Sequence, residues 1–514
     1  MKLKLTTEAK RGIPRILLFL TGFYFGCLSL AQAAVTKAEH PNIVLILADD
    51  LGYSSVGCFG ANSSLVRTPN IDRLAREGTR FTDASTPASV CTPTRYGILT
   101  GRYCWRSSLK YETLPVYAPL LIEPTRPTIA SILHQQGYLT GAIGKWHLGY
   151  GTAKHADFTK PLDPGPLEVG FDYFFGLPQN NGDATGVYVE NHSVVGLRSS
   201  KVTPSEEKTH YGPPYAGFDA PRRVESENMV VLGDRALDWL KTTTPQQPFF
   251  LYLAPTAVHE PIWPSKTMIG TSQAGPFGDF IHDLDGLVGR VLQFLDANKL
   301  GQNTIVIFTS DNGGVLPFGS GDKNPSIRKA IGAGLKMNGD WRGGKHSVYE
   351  GGFKVPFIAR WPSRIKAGAE CSQMISLVDL FATLSELTGR NADEGTRGGD
   401  DSVSFLPLLL GRTAEASRSS MILHSAKGNF AIRKEGWKYI EGSAHPDVPP
   451  AQLKRTADEY HPQLYDLRSD PGETKDVSAE HPELVAELAK LLNESRNQSG
   501  SRQIAAAKPA KSSP

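Results

Sequence analysis

The chain has 514 residues, with 55 Lys and Arg against 52 Asp and Glu (formal net charge +3), 40% hydrophobic residues, 51 Gly, 36 Pro and 5 Cys. A chain this long buries a large core, which excludes a small disulfide-stapled scaffold and a disordered regulator. The positive charge sits at the two ends: Lys2, Lys4, Lys10, Arg11 and Arg15 precede an apolar run from Ile16 to Leu30, and Arg496, Arg502, Lys508 and Lys511 lie in the final stretch.

Basic residues, an apolar run of about fifteen and the small-x-small triplet Ala31-Gln32-Ala33 predict a signal peptide over residues 1–33, with a run too short to span a membrane comfortably. The chain is expected to be exported, periplasmic or secreted, and to keep no membrane anchor after cleavage. The body from Ala34 to Ser495 then carries 46 basic against 51 acidic residues, net −5. That sign excludes the broad positive field that nucleic acid or an acidic membrane would need, so an anionic ligand has to be met by a local cluster of cations. Cys27 leaves with the signal peptide, and Cys58, Cys91, Cys104 and Cys371 form no disulfide framework legible from spacing.

From Pro41 onward short apolar runs alternate with helical periods, the pattern of an α/β fold with a mostly parallel sheet flanked by helices. Strands are expected at Asn42 to Ala48, Tyr138 to Ile143, Phe249 to Leu253, Thr304 to Thr309 and Val355 to Ala359. A helix is expected over Pro127 to Gln136, with Pro at the first helical position and Gly137 just past the end. From Phe280 to Leu295 the apolar residues keep a helical period. Residues 150–225 and 311–352, rich in Gly, Pro, Asn and aromatics without a period, read as functional excursions.

Asn391 to Asp401 reads as a surface linker. Beyond it Met421 to His424, Phe430 to Arg433, Trp437 to Ile440 and Gln463 to Leu467 read as strands and Pro482 to Leu492 as a helix, a smaller antiparallel α+β unit. The expected organisation is a signal peptide over 1–33, a catalytic domain over 34–400, a C-terminal subdomain over 401–495 and a disordered tail over 496–514.

Asp49-Asp50 directly follows the first strand, and Asp311-Asn312 follows the strand ending at Thr309. Ligand sites in open α/β sheets gather at the carboxyl ends of strands. Three carboxylates and an amide carbonyl form an oxygen set that suits Ca²⁺, or Mg²⁺ with waters, better than Zn²⁺. Such pairs are also ordinary turn chemistry, so they need a further element to carry weight.

Cys91-Thr92-Pro93-Thr94-Arg95 supplies it, leading into Tyr96-Gly97-Ile98-Leu99-Thr100-Gly101-Arg102. Gly144-Lys145-Trp146-His147-Leu148-Gly149, Ser310-Asp311-Asn312-Gly313-Gly314, Tyr349-Glu350-Gly351-Gly352 and Leu464-Tyr465-Asp466-Leu467 with Asp470-Pro471 follow in order. On these residues the sequence resembles the sulfatases of the alkaline-phosphatase-like superfamily, over most of the chain after Pro41. Thr94 stands where that family commonly has Ser or Ala.

The resemblance implies an alkaline-phosphatase-like fold and a sulfuric ester hydrolase in which a formylglycine-generating enzyme oxidises Cys91 to Cα-formylglycine. One hydroxyl of the aldehyde hydrate would attack sulfur; loss of the other's proton would then expel sulfate, splitting one hard displacement into two steps. By the same resemblance Asp49, Asp50, Asp311, Asn312 and the modified Cys91 hold the metal, taken as Ca²⁺ rather than Mg²⁺. Arg95 lies four residues after Cys91, so a helix beginning near Pro93 returns it toward that side chain. Lys145 contacts the sulfate and the hydrate, and His147 takes the hydrate proton; two residues apart, they project to one side if the chain stays extended. His259 stands near the leaving oxygen as a general acid, Lys345 is the second sulfate-binding lysine, and Asp311 also helps protonate the leaving group.

The runs Thr100 to Arg106, Pro119 to Glu123 and Gly170 to Gly176 resemble exported bacterial sulfatases acting on galactose or N-acetylgalactosamine 6-sulfate in polysaccharides. A sulfated carbohydrate is thus the expected substrate, with Trp105, Tyr173, Asn180 and Trp341 as wall candidates. An arylsulfatase or a sulfatase for another sugar sulfate is the alternative within the family, and a non-catalytic sulfated-polysaccharide-binding protein the alternative outside it. His134, His192, His282 and His346 belong to no motif.

Overall fold

The computed structural model describes residues 40–317, 324–389, 398–412, 418–442 and 461–501. The expected signal peptide, linker residues 391–397 and the tail beyond Ser501 lie outside the described residues. The chain divides into Met1–His40 and a unit from Pro41 onward, to which every element below belongs.

Numbered along the chain, the strands are β1 (Asn42–Ala48), β2 (Thr79–Phe81), β3 (Ala84–Ser85), β4 (Leu139–Lys145), β5 (Tyr173–Leu177), β6 (Val189–Glu190), β7 (Ser193–Val194) and β8 (Phe249–Ala254). They continue as β9 (Thr304–Ser310), β10 (Phe357–Arg360), β11 (Ala369–Cys371), β12 (Ile375–Ser376), β13 (Ser420–His424), β14 (Phe430–Lys434), β15 (Trp437–Ile440) and β16 (Gln463–Asp466). Ten form one sheet in the order β11-β2-β10-β9-β1-β8-β4-β5-β6-β7. Its centre, β9-β1-β8-β4-β5, is parallel, and β10 and β6 pair antiparallel against it. β3 and β12 form a separate short parallel pair.

Parallel strands covered on both faces read as unbroken apolar runs, and β1 shows why. Ile43, Leu45 and Leu47 enter the core on one face, with Tyr96, Ile98 and Leu99 of helix Cys91–Thr100 and Leu380 and Leu384 of helix Leu380–Leu387. Val44, Ile46 and Ala48 enter the other, with Leu284, Val288 and Leu292 of helix Gly275–Ala297 and Leu232 and Trp239 of helix Asn228–Lys241.

The expected helix at Pro127 starts two residues later, as Ile129–Gln135. Thr128 Oγ1 accepts from Ser131 N and Ser131 Oγ accepts from Thr128 N, a capping box that satisfies the first free amides where Pro127 would only lack one.

The second sheet, β13-β14-β15-β16, is antiparallel throughout. Leu488 and Leu492 of helix Pro482–Asn497 cover it together with Tyr103 and Trp105. Its first strand ends against the chain entering helix Cys91–Thr100, where Ser89 N donates to His424 O over 3.2 Å.

Two expectations are corrected. The last helix runs to Asn497, Arg496 pairs with Glu441 at 2.8 Å, and Ser501 N donates to Asp401 Oδ1, so residues 496–501 are held by partners rather than solvated. Residues 398–401 are not a surface linker: Asp401 is fully buried and accepts from Tyr103 N and Arg106, because a buried carboxylate is tolerated only where donors converge on it.

Candidate functional site

β9, β1, β8 and β4 are adjacent and parallel, so their carboxyl ends open on one rim of the sheet. Asp311 and Asn312 leave β9, Asp49 and Asp50 leave β1, His259 follows β8, and Lys145 ends β4 with His147 beyond it. Sites collect on this rim because the strands end there and their successors are free to carry polar groups.

Cys91 is the first residue of a ten-residue helix in which every residue is buried. Burial pushes its thiol above the usual range, against the pull of Lys145 and Lys345. The unmodified side chain is therefore a neutral thiol and a poor nucleophile. One turn on, Arg95 donates from Nε (3.0 Å) and Nη2 (2.7 Å) to Asp311 Oδ2 and from Nη1 (3.1 Å) to the Lys145 carbonyl, tying this helix to β9 and β4.

Lys145 Nζ donates to both oxygens of Asp49, at 3.0 and 2.8 Å. The chain does not stay extended beyond it: His147 is left-handed at φ 58°, and its amide donates to the Pro178 carbonyl after β5. Leu114 O sits 3.1 Å from His147 Nε2, and a carbonyl only accepts, so Nε2 carries the proton. His147 Nδ1 is then an acceptor, buried and without a hydrogen-bond partner among the described residues. Burial, with Lys145 and Arg95, holds this imidazole neutral by lowering its pKa well below the usual range.

Asp50 is also left-handed, φ 61°; its amide donates to Asp311 Oδ1 at 3.2 Å, and its carboxylate accepts from Lys345 Nζ and Asn312 Nδ2, each at 2.8 Å. Burial alone would raise this carboxyl, but Lys345, His259 and Lys145 outweigh it and keep it ionised. Asp311 goes the other way: burial raises it and the charge of Asp49 adds to that, with Arg95 opposing. His259 Nδ1 donates to Glu260 O at 2.5 Å, which leaves Nε2 facing Asp50 Oδ2 at 3.6 Å.

This donor set fits a hard cation. Among the described His, Cys, Asp and Glu side chains, donor atoms of Asp49, Asp50 and His259 lie within 4.8 Å of one another. Beside them Asn312 Oδ1 is buried with no hydrogen-bond partner among the described residues, an oxygen that costs free energy unless something binds it. Asp311 reaches the same place through the Asp50 amide.

Lys345 arrives from outside the sheet on a glycine-lined segment. Lys345 N donates to Gly314 O (3.1 Å) and Gly313 N to Gly352 O (2.9 Å), and a Cβ on Gly313 would stand 1.8 Å from Gly351 O. The Asn-Gly-Gly and Tyr-Glu-Gly-Gly motifs thus exist to let two backbones touch. Glu350, in the second motif, is anchored by Lys438 at 3.0 Å and Arg433 at 3.2 Å from the small sheet.

All the expected site residues, Asp49, Asp50, Cys91, Arg95, Lys145, His147, His259, Asp311, Asn312 and Lys345, come together here. The wall candidates divide. Asn180 follows β5 two residues after Pro178, whose carbonyl takes the His147 amide, and is buried; Trp105 is buried too, but stacked on Tyr103 with centroids 4.0 Å apart in the core of the small sheet. Tyr173 starts β5, opposite Gly141 at the amino end of β4, and so faces the far rim. Trp341 packs edge-on to Tyr53 and under the Lys354 ammonium.

Four contributors had no motif to announce them. Leu114 offers a carbonyl, Gln179 Nε2 shares that carbonyl at 3.0 Å, Tyr211 OH donates to Glu260 O, and His346 stands within electrostatic reach of Lys345, Asp50 and His259. All lie in irregular chain, where backbone groups and loop tips leave no periodic signal. A separate cavity of about 590 Å³, lined by Arg67, Asp72, His282 and Asp285 among others, contains none of the site residues.

The chain resembles known proteins over most of its length. A family model described as sulfatase matches residues 41–390, and one described as the C-terminal part of N-sulphoglucosamine sulphohydrolase matches residues 340–498. An N-acetylgalactosamine-6-O-sulfatase of Bacteroides thetaiotaomicron is 34% identical over 94% of this chain and 99% of its own. Human arylsulfatase A is 34% identical over 93% of this chain and 90% of its own. A solved structure from the metabolism of multiple glycosaminoglycans by Bacteroides thetaiotaomicron superposes with a TM-score of 0.82 at 34% identity, covering 90% of this chain and 100% of that one.

Proposed function

The chain belongs to the sulfatase family and is a sulfuric ester hydrolase, and from that premise we propose that it removes 6-sulfate groups from galactose or N-acetylgalactosamine units of polysaccharides. The observation that carries the reading is the convergence of Arg95, Lys145 and Lys345 on the carboxylates beside Cys91, three cations gathered at one place in a body that is net acidic. The similarity to an N-acetylgalactosamine-6-O-sulfatase over nearly the whole of both chains supports the choice of sugar. In this reading Cys91 is oxidised by a formylglycine-generating enzyme, the cation is Ca²⁺, residues 1–33 direct export to the periplasm or beyond, and the domains divide near residue 400. No helix among the described residues is long and apolar enough to cross a membrane.

The family uses formylglycine, whose hydrate supplies the attacking hydroxyl, and a metal ion, which as a Lewis acid draws charge from a sulfate oxygen. Asp49, Asp50, Asp311 and Asn312 would hold that ion. The remaining work belongs to the chain. Lys145 and Lys345 are each bound to one carboxylate of the rim and orient their ammonium groups toward the place where sulfate charge gathers. Arg95 orients Asp311 and, through the Lys145 carbonyl, the end of β4.

His147 is the base: with Nε2–H committed to Leu114, Nδ1 is the nitrogen able to take the hydrate proton. His259 is the acid in this reading: with Nδ1–H committed to Glu260 O, Nε2 is the nitrogen that would pass a proton to a departing alkoxide, and because burial and the neighbouring Lys345 lower its pKa, Nε2 of the resting imidazole is unprotonated and has to gain that proton before it can act.

The test has two parts. The peptide spanning Cys91, from protein made with a formylglycine-generating enzyme, is expected to show the aldehyde or its hydrate in place of the thiol mass. A panel of defined sulfated mono- and disaccharides, with nitrocatechol sulfate alongside, is expected to give preferred release from 6-sulfated galactose or N-acetylgalactosamine. Full activity with an intact thiol would end the mechanism, and turnover of the aryl ester alone would end the sugar assignment.

A further inference from the structure

The general acid of an ester cleavage stands on the side where the alcohol departs, and in a sugar sulfate that alcohol is the sugar. His259 therefore marks the side of the site on which a pyranose has to lie, and the side chains around His259 are the ones that meet it.

Residues 203–217 build a hairpin there. Thr203 N donates to Gly217 O, Ser205 N to Tyr215 O, Thr209 N to Pro213 O and Gly212 N to Thr209 O, so His210, Tyr211 and Gly212 form its tip. The stem is fixed: Ala216 N donates to Ala184 O, Tyr215 OH donates to Glu225 at 2.6 Å, and Arg222 pairs with Glu207 at 2.6 Å.

Tyr211 is carried by this tip to His259. Its hydroxyl donates to Glu260 O over 2.7 Å, the same carbonyl oxygen that takes the Nδ1–H of His259. One ring edge lies against the backbone of Gly182, where an added Cβ would be 3.3 Å from the ring, and His210 packs edge-on at 5.0 Å. Burial raises the pKa of the hydroxyl, and the carboxylates of Glu260, Asp50 and Asp49 add to it, so the hydroxyl stands within electrostatic reach of the reacting centre. Tethered in this way, the ring is nevertheless 44% exposed, which the apolar core would not leave to a tyrosine packed for stability.

A rigid, half-exposed aromatic face next to the acid has the chemistry of a sugar platform: the C–H face of a pyranose stacks on it, and the polar edge beside it receives hydroxyls. Glu260 supplies that edge, with Oε2 accepting from Asn324 at 2.7 Å and lying 3.9 Å from His210 Nε2. We propose that Tyr211 is the stacking platform for the pyranose ring whose sulfate is cleaved, and that the hairpin 203–217 exists to hold it beside His259. This rests on the sugar-sulfate reading above and extends it to a specificity residue.

The experiment compares wild type, Tyr211→Ala and Tyr211→Phe on a 6-sulfated N-acetylgalactosaminide, with inorganic sulfate as a competitive probe that fills the sulfate position alone. Tyr211→Ala is expected to raise KM by about fivefold to tenfold, the worth of one ring contact, with a smaller change in kcat. Its inhibition constant for inorganic sulfate should stay within about twofold of wild type, the contact with sulfate being untouched. Tyr211→Phe keeps the face and should recover most of the wild-type KM. An unchanged KM in Tyr211→Ala overturns the platform, as does a parallel loss of kcat and of sulfate inhibition, which would make Tyr211 a prop for the His259 segment. A wild-type enzyme inert on every sulfated sugar but active on an aryl sulfate overturns the sugar reading itself, and the platform with it.

Discussion

Arg95 and Asp311 meet with Nη2 2.7 Å from Oδ2, both side chains completely buried, and Arg95 reaches on to Asp49 at 3.5 Å and to the Lys145 carbonyl. One guanidinium thus joins helix Cys91–Thr100, β9, β1 and β4 at the point where chemistry occurs. Its planar fork makes these bonds in fixed directions, which a flexible ammonium does not. Arg95→Lys is expected to lower kcat/KM by at least about a hundredfold, because groups displaced by an ångström lose that much. Arg95→Ala leaves buried carboxylates uncompensated and should cost about 3–5 kcal/mol of stability. Thermal melts and steady-state kinetics read both; a wild-type melt for Arg95→Ala would contradict the account.

The touching backbones at Gly313 give a second prediction. An added Cβ stands 1.8 Å from Gly351 O, so Gly313→Ala has to part the segment that brings Lys345 to Asp50. Activity should fall by about a hundredfold or more. Gly332→Ala, where an added Cβ meets nothing within 4 Å, is the matched control and should retain wild-type turnover. Equal activity in the two variants would show that the close approach is not what seats Lys345.

These residues also show what a sequence can and cannot carry. β1 was legible because covered parallel strands are apolar at every position, and Asp49-Asp50 was legible as the abrupt end of that run. Pro127 and the Thr128 cap are both start signals, and the helix begins after the cap, whose hydrogen bonds are the stronger. The extended stretch expected to carry Lys145 and His147 to one side is not there, because His147 is left-handed and a left-handed residue has no sequence marker beyond its neighbours. Leu114, Gln179 and Tyr211 act through a carbonyl, a side-chain amide and a hairpin tip, all set by contacts far along the chain, which composition and period do not record. Asp401 looked like linker because Gly and Asp dominate its surroundings, yet Arg106 and the Tyr103 amide bury it.

His424 gives a pH prediction away from the cation site. It is fully buried among Trp105, Tyr111 and Phe430, and its Nδ1 donates to Ser425 O at 3.0 Å. Burial lowers its pKa from 6.5 to about 4. With the folded value depressed, the unfolded chain binds the proton first on acidification. The contribution of this residue is therefore fully present above pH 6.5 and is lost as pH falls toward about 4. His424→Phe keeps the aromatic packing and removes the titration, so its Tm should fall less steeply than wild type across that interval. Parallel Tm–pH curves for the two proteins would exclude His424 as a source of the acid sensitivity.

The buried Oδ1 of Asn312, without a hydrogen-bond partner among the described residues, carries the last prediction, on the cation itself. Its amide is oriented by Nδ2, which donates to Asp50 Oδ1 at 2.8 Å, so Oδ1 turns toward the same space as the carboxylates. A ligand that binds only the folded state raises Tm in proportion to the logarithm of its concentration over Kd. Ca²⁺ added to chelator-treated protein is expected to raise Tm, and more than Mg²⁺ at equal concentration, because a set of protein oxygens suits the larger ion, whereas Mg²⁺ dehydrates reluctantly and keeps several of its own waters. Asn312→Ala removes one donor and frees Asp50, and should weaken Ca²⁺ at least about tenfold, read as a rightward displacement of the Tm-against-Ca²⁺ curve without reference to turnover. A variant that responds to Ca²⁺ like wild type would take Asn312 out of the site and leave its orphaned oxygen without a purpose.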